Sequence, residues 1–264
     1  WTHRACNALR AWLGQPLWLV ALGPALAGLL LLAAYQSRLP VAVAPGTSYG
    51  RPHVAGFHEP ERGPGVDYAY TRERSALHLP GIGHAPARLH VCMGGGVPGV
   101  RQVFSASGVP LAEVAAGGGL ASYVFSLPAK ASRGGSLVLS WEGDTSPAPG
   151  DPRRLGIAVG HLTWVPAGSF VEPDWGQVLW TALAALALYL IGRELAFRPA
   201  IAAVFSSALV VAIALGIVFA RLYLTIYTPR LAALLLALAA ALPLLWRPTR
   251  SFLGRLGLAQ TPEE

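Results

Sequence analysis

The stretch Ser136-Leu137-Val138-Leu139-Ser140-Trp141-Glu142 alternates without a break. Leu137, Leu139 and Trp141 fall on one side; Val138, Ser140 and Glu142 fall on the other. Successive side chains of a strand point to opposite faces, so this period of two predicts a half-buried strand with Trp141 in a core. Residues 76–79, 88–91, 122–127 and 155–159 share the texture, and Gly and Pro punctuate the intervals. Repeated short strands with such turns are the mark of an antiparallel sandwich or barrel. About 130 residues suffice for one sandwich with its own core.

Outside this region the texture is different. Leu17–Tyr35 is apolar and uncharged, close to the ~20 residues that cross a bilayer core. A cleaved signal peptide has an apolar core of about 7–15 residues, and a small-residue cleavage pattern follows it closely. Here the candidate Ala42-Val43-Ala44 lies well beyond the run and precedes Pro45, so a retained anchor is expected. Further apolar runs cover 175–192, 199–220 and 231–246. The last is short and contains Pro243; it either borrows from 222–227 or forms a re-entrant hairpin with the third.

The expected fold is a membrane protein with about four transmembrane α-helices and an extracytoplasmic all-β jelly-roll or β-sandwich domain. The boundaries read as a cytoplasmic segment 1–16, transmembrane helices 17–37, 175–192, 199–221 and 227–246, a sandwich 40–173, and a cytoplasmic tail 247–264. Helix 3 carries Ala208, Ala212, Gly216 and Ala220, and helix 4 carries Ala233, Ala237 and Ala241. Small residues at every fourth position allow close helix approach, although an alanine-rich composition produces such matches cheaply.

The net charge of +7 is unevenly placed. Residues 41–172 hold ten Arg or Lys and nine Asp or Glu; the rest of the chain holds ten and four. The excess therefore flanks the apolar runs, which fits membrane orientation and not a nucleic-acid face. Placing the N-terminus in the cytoplasm puts Arg4, Arg10, Arg193, Arg198, Arg247, Arg250 and Arg255 inside. Arg38, Arg221 and Arg230 are left outside, a positive-inside bias. Cys6 and Cys92 then lie on opposite sides and cannot pair.

Three stretches carry a family likeness: Tyr123-Val124-Phe125-Ser126-Leu127-Pro128-Ala129, Gly134-Gly135-Ser136-Leu137-Val138-Leu139-Ser140, and residues 149–160 with Pro149-Gly150-Asp151-Pro152-Arg153-Arg154. Their order is similar to galactose-binding-like jelly rolls. Set between an anchor helix and further apolar runs, they resemble the N-terminal part of polytopic bacterial glycosyltransferase-like membrane proteins. Gly56-Phe57-His58-Glu59-Pro60-Glu61 and the stretch from Arg221 to Arg230 add to the likeness. Such enzymes have many more helices and typically an Asp-Asp or Asp-Glu pair on the first outer loop. Here a proline splits Glu59 from Glu61. The resemblance thus implies a module of such a protein, or a relative without the catalytic part.

The candidate chemistry is thin. His78, His84, His90 and Cys92 lie close in sequence, and a strand puts His90 and Cys92 on one face, but the spacing fits no zinc finger and the four read as surface or interstrand polar residues. Glu59, Glu61 and Asp67 read as solvated loop charges before they read as an acid–base pair. Residues 94–96 and 117–119 are all glycine and read as turns, since no Gly-Lys-Ser/Thr follows. The apolar runs contain no His, Cys, Met or mid-span charge, which disfavours haem, pigment and ion transport.

The expected role is a membrane-anchored, non-catalytic, carbohydrate-facing module of an envelope glycan or glycosyltransferase system in the bacterial cytoplasmic membrane. Its binding residues are taken as Glu59, Glu61, Tyr68, Tyr70, Asp144 and Asp151, with no catalytic residue, metal or cofactor. Trp141 is also aromatic but belongs to the core by its alternation. The expected partners are membrane lipids, carbohydrate, or other membrane subunits through helices 3 and 4, with no nucleic acid. The alternative is a structural subunit of a larger membrane complex; if the chain is enzymatic, it is a membrane glycosyltransferase fragment.

Overall fold

A computed structural model describes residues 17–63 and 66–255. The expectations placed on 1–16, with Arg4, Cys6 and Arg10, and on 256–264 lie outside the described residues. The chain divides into a β unit, Tyr35–Trp175, and a helical unit formed by the flanking sequence.

In chain order the strands are β1 (Val41–Val43), β2 (Val54–Phe57), β3 (Glu61–Arg62), β4 (Asp67–Leu79), β5 (Ala87–Gly94), β6 (Arg101–Ala106), β7 (Val109–Ala115), β8 (Leu120–Leu127), β9 (Leu137–Gly143), β10 (Ser146–Pro147), β11 (Arg154–Leu155) and β12 (Ala158–Pro166). Every pairing is antiparallel. One layer runs β8-β5-β12, with β1 on the far side of β12. The other runs β7-β6-β9-β4, with β2 on the far side of β4. The two layers make a β-sandwich. Leu137, Leu139 and Trp141 of β9 are fully buried, as their alternation requires. Phe104 of β6 lies 4.9 Å from the Trp141 ring and 5.3 Å from Phe125 of β8, so side chains of both layers meet face to face. Full burial of a side chain of this size contributes on the order of 3 kcal/mol.

The long β4 belongs to both layers. Its first half pairs with β12 through Ala69 and Tyr70, and its second half pairs with β9 from Arg74 to Leu79. Where it crosses, the ladder lapses and side chains replace it. Thr71 N–H donates to Ile157 O at 2.9 Å, and Ile157 N–H donates to Thr71 Oγ1 at 2.9 Å. The same hydroxyl donates to Gln102 Oε1 at 2.6 Å. Gln102 Nε2 then donates to Arg72 O at 2.9 Å and to Asp144 O at 3.1 Å. Both side chains are buried, where an unpaired amide would be costly.

Beside the crossing, β4 bulges. Ala55 of β2 faces Ala76, while Phe57 faces Thr71, so two steps on β2 match five on β4. The surplus is Arg72-Glu73-Arg74, three consecutive exposed residues in a strand that otherwise buries every second one from Ala69 to Leu79. Ser75 Oγ accepts from Arg72 N–H at 2.9 Å and donates to Gly56 O. Gly56 sits at φ +75°, and a Cβ there would stand 2.1 Å from Arg74 O, so the bulge requires glycine.

The ends of the unit are clasped. Gln36 Nε2 donates to Val171 O at 2.8 Å, and Val171 N–H returns to Gln36 Oε1 at 3.1 Å. The glycine runs are turns: Gly94, Gly95, Gly96 and Gly117 all lie at positive φ. One predicted strand differs. Residues 155–159 divide between β11 and β12, because Gly156 and Ile157 serve the crossing and not a ladder.

In the helical unit, α1 spans Leu17–Tyr35, α2 spans Trp175–Glu194, and α3 spans Pro199–Arg255 with non-helical Ala220 inside it (φ −139°, ψ 43°). Residues 216 and 224 of a straight helix lie ~12 Å apart. Here a Cβ on Gly216 would stand 3.0 Å from Leu224 Cγ, so the chain folds back at Ala220. Residues 221–227 are helical, and the run continues past Trp246.

Of the small-residue stripe, Gly216 lies against Leu224, while most of its alanines do not pack within this chain. Ala208, Ala212, Ala233 and Ala237 are exposed, whereas Ala202, Ser206, Val210 and Ala214 are buried. That stripe has the same four-residue spacing but is offset by two residues, about 200° around a helix of 3.6 residues per turn. Polarity selects it: Ser206 Oγ donates to Ala185 O at 2.8 Å. Gln177 Nε2 similarly donates to Thr228 Oγ1 at 2.8 Å. The apolar reading of the helices missed both groups.

Candidate functional site

The rim of the sandwich near β3, the start of β4 and β11 gathers most of the expected binding residues. Glu61 stands on β3 opposite Tyr68 of β4, and Tyr68 Oη donates to Glu61 Oε2 at 3.4 Å. Tyr70 lies two residues on, on the same face, with its ring edge-on to Tyr68 at 5.4 Å. Asp151 arrives from the turn before β11.

Arg153 ties these groups together, and sequence reasoning did not single it out. Its Nε and Nη2 engage both Asp151 oxygens at 2.6–3.0 Å, and Nη2 also donates to Glu61 Oε1 at 2.7 Å. A planar guanidinium suits such forked pairing. Side-chain and backbone hydrogen bonds from Arg153 hold the Asp151 carboxyl down to about 2, and the two acids raise Arg153 in return. Burial, then Tyr68 and Glu61, push the Tyr70 phenol up to about 12. Near neutral pH the Asp151 carboxylate therefore sits on the Arg153 guanidinium beside a protonated Tyr70 phenol. A general acid for glycoside chemistry needs a raised carboxyl pKa, and Asp151 has the reverse.

Glu59 lies beside the cluster and pairs with Arg51 at 2.7 Å, both side chains being largely exposed. Such a pair contributes little to stability. Asp144 stands apart: its N–H donates to Arg101 O and its carbonyl accepts from Gln102, which occupies its backbone and leaves the side chain exposed. Trp141 is fully buried.

Two hollows flank this rim. The first, about 510 Å³, is lined by Ser48, Tyr49, Arg51, Glu59, Glu61 and Asp67 among others, and Tyr49 is 73% exposed at its wall. The turn that presents it is fixed by Thr47 Oγ1 donating to Ala44 O at 2.8 Å. The second, about 490 Å³, is lined by His58, Arg72, Glu73, Arg74, Thr145 and Arg154. His58 Nε2 lies 2.9 Å from Arg154 O, and Arg154 donates to Thr145 Oγ1 and to Thr145 O at 3.2 and 2.9 Å. Among the described residues no three of His, Cys, Asp and Glu come together as metal ligands. His90 and Cys92 do share a face of β5, and Cys92 is buried.

No protein-family model matches the chain, and no curated protein matches it. Among solved structures, the chain is similar to the C-terminal family 6 carbohydrate-binding module of LamC, a marine laminarinase from Zobellia galactanivorans. The identity is 11%, with 48% of this chain and 99% of that one covered and a TM-score of 0.31. It is also similar to a family 35 carbohydrate-binding module from Clostridium thermocellum, at 12% identity, 49% and 99% coverage, and a TM-score of 0.32. A β-(1,4)-mannanase of the GH26-CBM35 type from Podospora anserina matches at 12% identity over 50% of this chain and 28% of that one, with a TM-score of 0.33.

Proposed function

We propose that the chain is a membrane-anchored module that presents its β-sandwich outside the cytoplasm and binds carbohydrate without transforming it, in an envelope glycan or glycosyltransferase system of a bacterial cytoplasmic membrane. One observation carries the binding role: the first hollow sets an exposed tyrosine ring beside hydroxyls, carboxylates and an arginine. Sugars present both apolar C–H faces and hydroxyl groups, and such a wall answers both. The pairing of Glu61 and Asp151 by Arg153 favours holding over proton transfer.

Membrane anchoring is supported by α1, by α2, and by the 46-residue span Pro199–Leu244, long enough for two passes of ~20 residues each. The fold-back at Ala220 supplies the turn between them. The full chain in nanodiscs is expected to bind neutral oligosaccharides, with Tyr49→Ala weakening binding about ten-fold and no turnover of polyprenyl-phosphate sugars. Absence of binding overturns the carbohydrate role. Turnover lost in Glu59→Gln or Glu61→Gln overturns the non-catalytic one. In intact cells an impermeant thiol reagent should leave Cys6 unlabelled, and labelling reverses the orientation.

A further inference from the structure

We propose that the second hollow is an oxyanion subsite, taking the carboxylate or phosphate ester of an acidic saccharide whose neutral part lies in the first. The inference rests on the carbohydrate reading above and names the class of sugar.

The hollow is strongly basic. Arg72, Arg74 and Arg154 face one acid, Glu73, which leaves two positive charges in excess, with His58 beside them. Glu142 lies opposite Arg74 in the ladder. Among the described residues, neither Arg72 nor Arg74 makes an ion pair; of the arginines lining the first hollow, Arg51 sits on Glu59 and Arg62 makes no ion pair either. A guanidinium fork matches carboxylate and phosphate oxygens two at a time.

The basic wall is built, not incidental. Arg72 and Arg74 keep the outward phase of β4, and the bulge between them, held by Ser75, by Gln102 and by the left-handed Gly56, sets their backbone and turns Glu73 outward with them. Regular alternation would turn Glu73 toward the core. Bulges of this kind re-aim side chains beside binding sites. The opposite wall is fixed in advance by Arg154 on Thr145 and His58 on Arg154 O, which lowers the ordering cost of binding. The two linings adjoin along the chain: His58 lines one hollow and Glu59 the other, and Arg153, which bonds Glu61, precedes Arg154 of the basic wall. A saccharide held in both would cross between these neighbouring residues.

The test is calorimetry on the full chain in phosphatidylcholine nanodiscs, a bilayer without net charge. One arm compares trigalacturonate with its carboxyl-reduced, neutral trimer; the other compares galactose 1-phosphate with galactose. The acidic probe of at least one arm should bind about ten-fold tighter than its neutral partner, and added salt should shrink the gain. A gain in one arm alone assigns the subsite to that anion. The double variant Arg72→Gln/Arg74→Gln alters only exposed side chains, and it should erase the gain while keeping the neutral trimer's affinity. No gain in either arm, with neutral binding present, overturns the subsite and leaves the first hollow standing. A gain that survives the double variant overturns it too. Failure of every probe overturns both proposals.

Discussion

The two units withdraw polar side chains from water in different ways. In the β unit, Thr71 and Gln102 serve main-chain groups that the crossing of β4 leaves without a ladder. In the helical unit, Gln177 and Thr228 join segments whose backbones are already bonded along their own helices. The first pair replaces missing secondary structure; the second adds a link between elements that exist without it. Burial is near complete in both, yet the consequences of removing a member should differ widely.

The first prediction is all or none. Residues 35–175 expressed alone should be a soluble, monomeric, sheet-rich domain, because the hydrogen bonds of the crossing are internal to the unit. Circular dichroism dominated by helix, or solubility only in detergent, breaks the comparison at its base. Within that domain Gln102→Leu should cost about 3 kcal/mol in urea unfolding, since it strands Arg72 O and Asp144 O. A loss below ~1 kcal/mol would show that water reaches the crossing. In the full chain Gln177→Leu should cost about 0.6 kcal/mol, read from unfolding in mixed detergent micelles. A loss as large as that of Gln102→Leu would erase the distinction.

The smallest effect sharpens a third case. Burial, and then the charge of His78, lower the His53 pKa below 6.5. Its stabilising contribution is therefore complete above that value and declines as pH falls toward the folded-state pKa. Urea midpoints between pH 7 and 5 should show this decline, and His53→Gln should flatten it. An unchanged slope would place the pH response on other groups.

Much of the sandwich was legible because hydrophobic alternation is local. Residues 136–142 announce β9 and place Trp141 inside, and the uncharged runs announce the helices. The hairpin of β6 and β7 was not seen, because its inward positions carry polar Gln102 beside Phe104 and the alternation is blurred. The bulge was not seen either: three successive polar residues inside a strand look like a loop until the partner's register is known. The candidate site was half legible. Glu61, Tyr68, Tyr70 and Asp151 do converge, but Arg153 bonds to Glu61 across 92 positions, and no spacing rule reaches that far. An alanine-rich helix offers several such stripes and its composition does not choose among them; within this chain the buried one is Ala202, Ser206, Val210 and Ala214.

The clasp between Gln36 and Val171 has an evolutionary side. The chain leaves Gln36, completes the whole sandwich, and returns after 135 positions to a residue within hydrogen-bonding reach. A sandwich with adjoining ends can be gained, lost or exchanged in a single gene rearrangement. The outgoing and incoming chains need only keep the gap that one glutamine side chain already spans. A variant with the two clasp residues joined by a short turn is therefore the natural form of a deletion of the β unit.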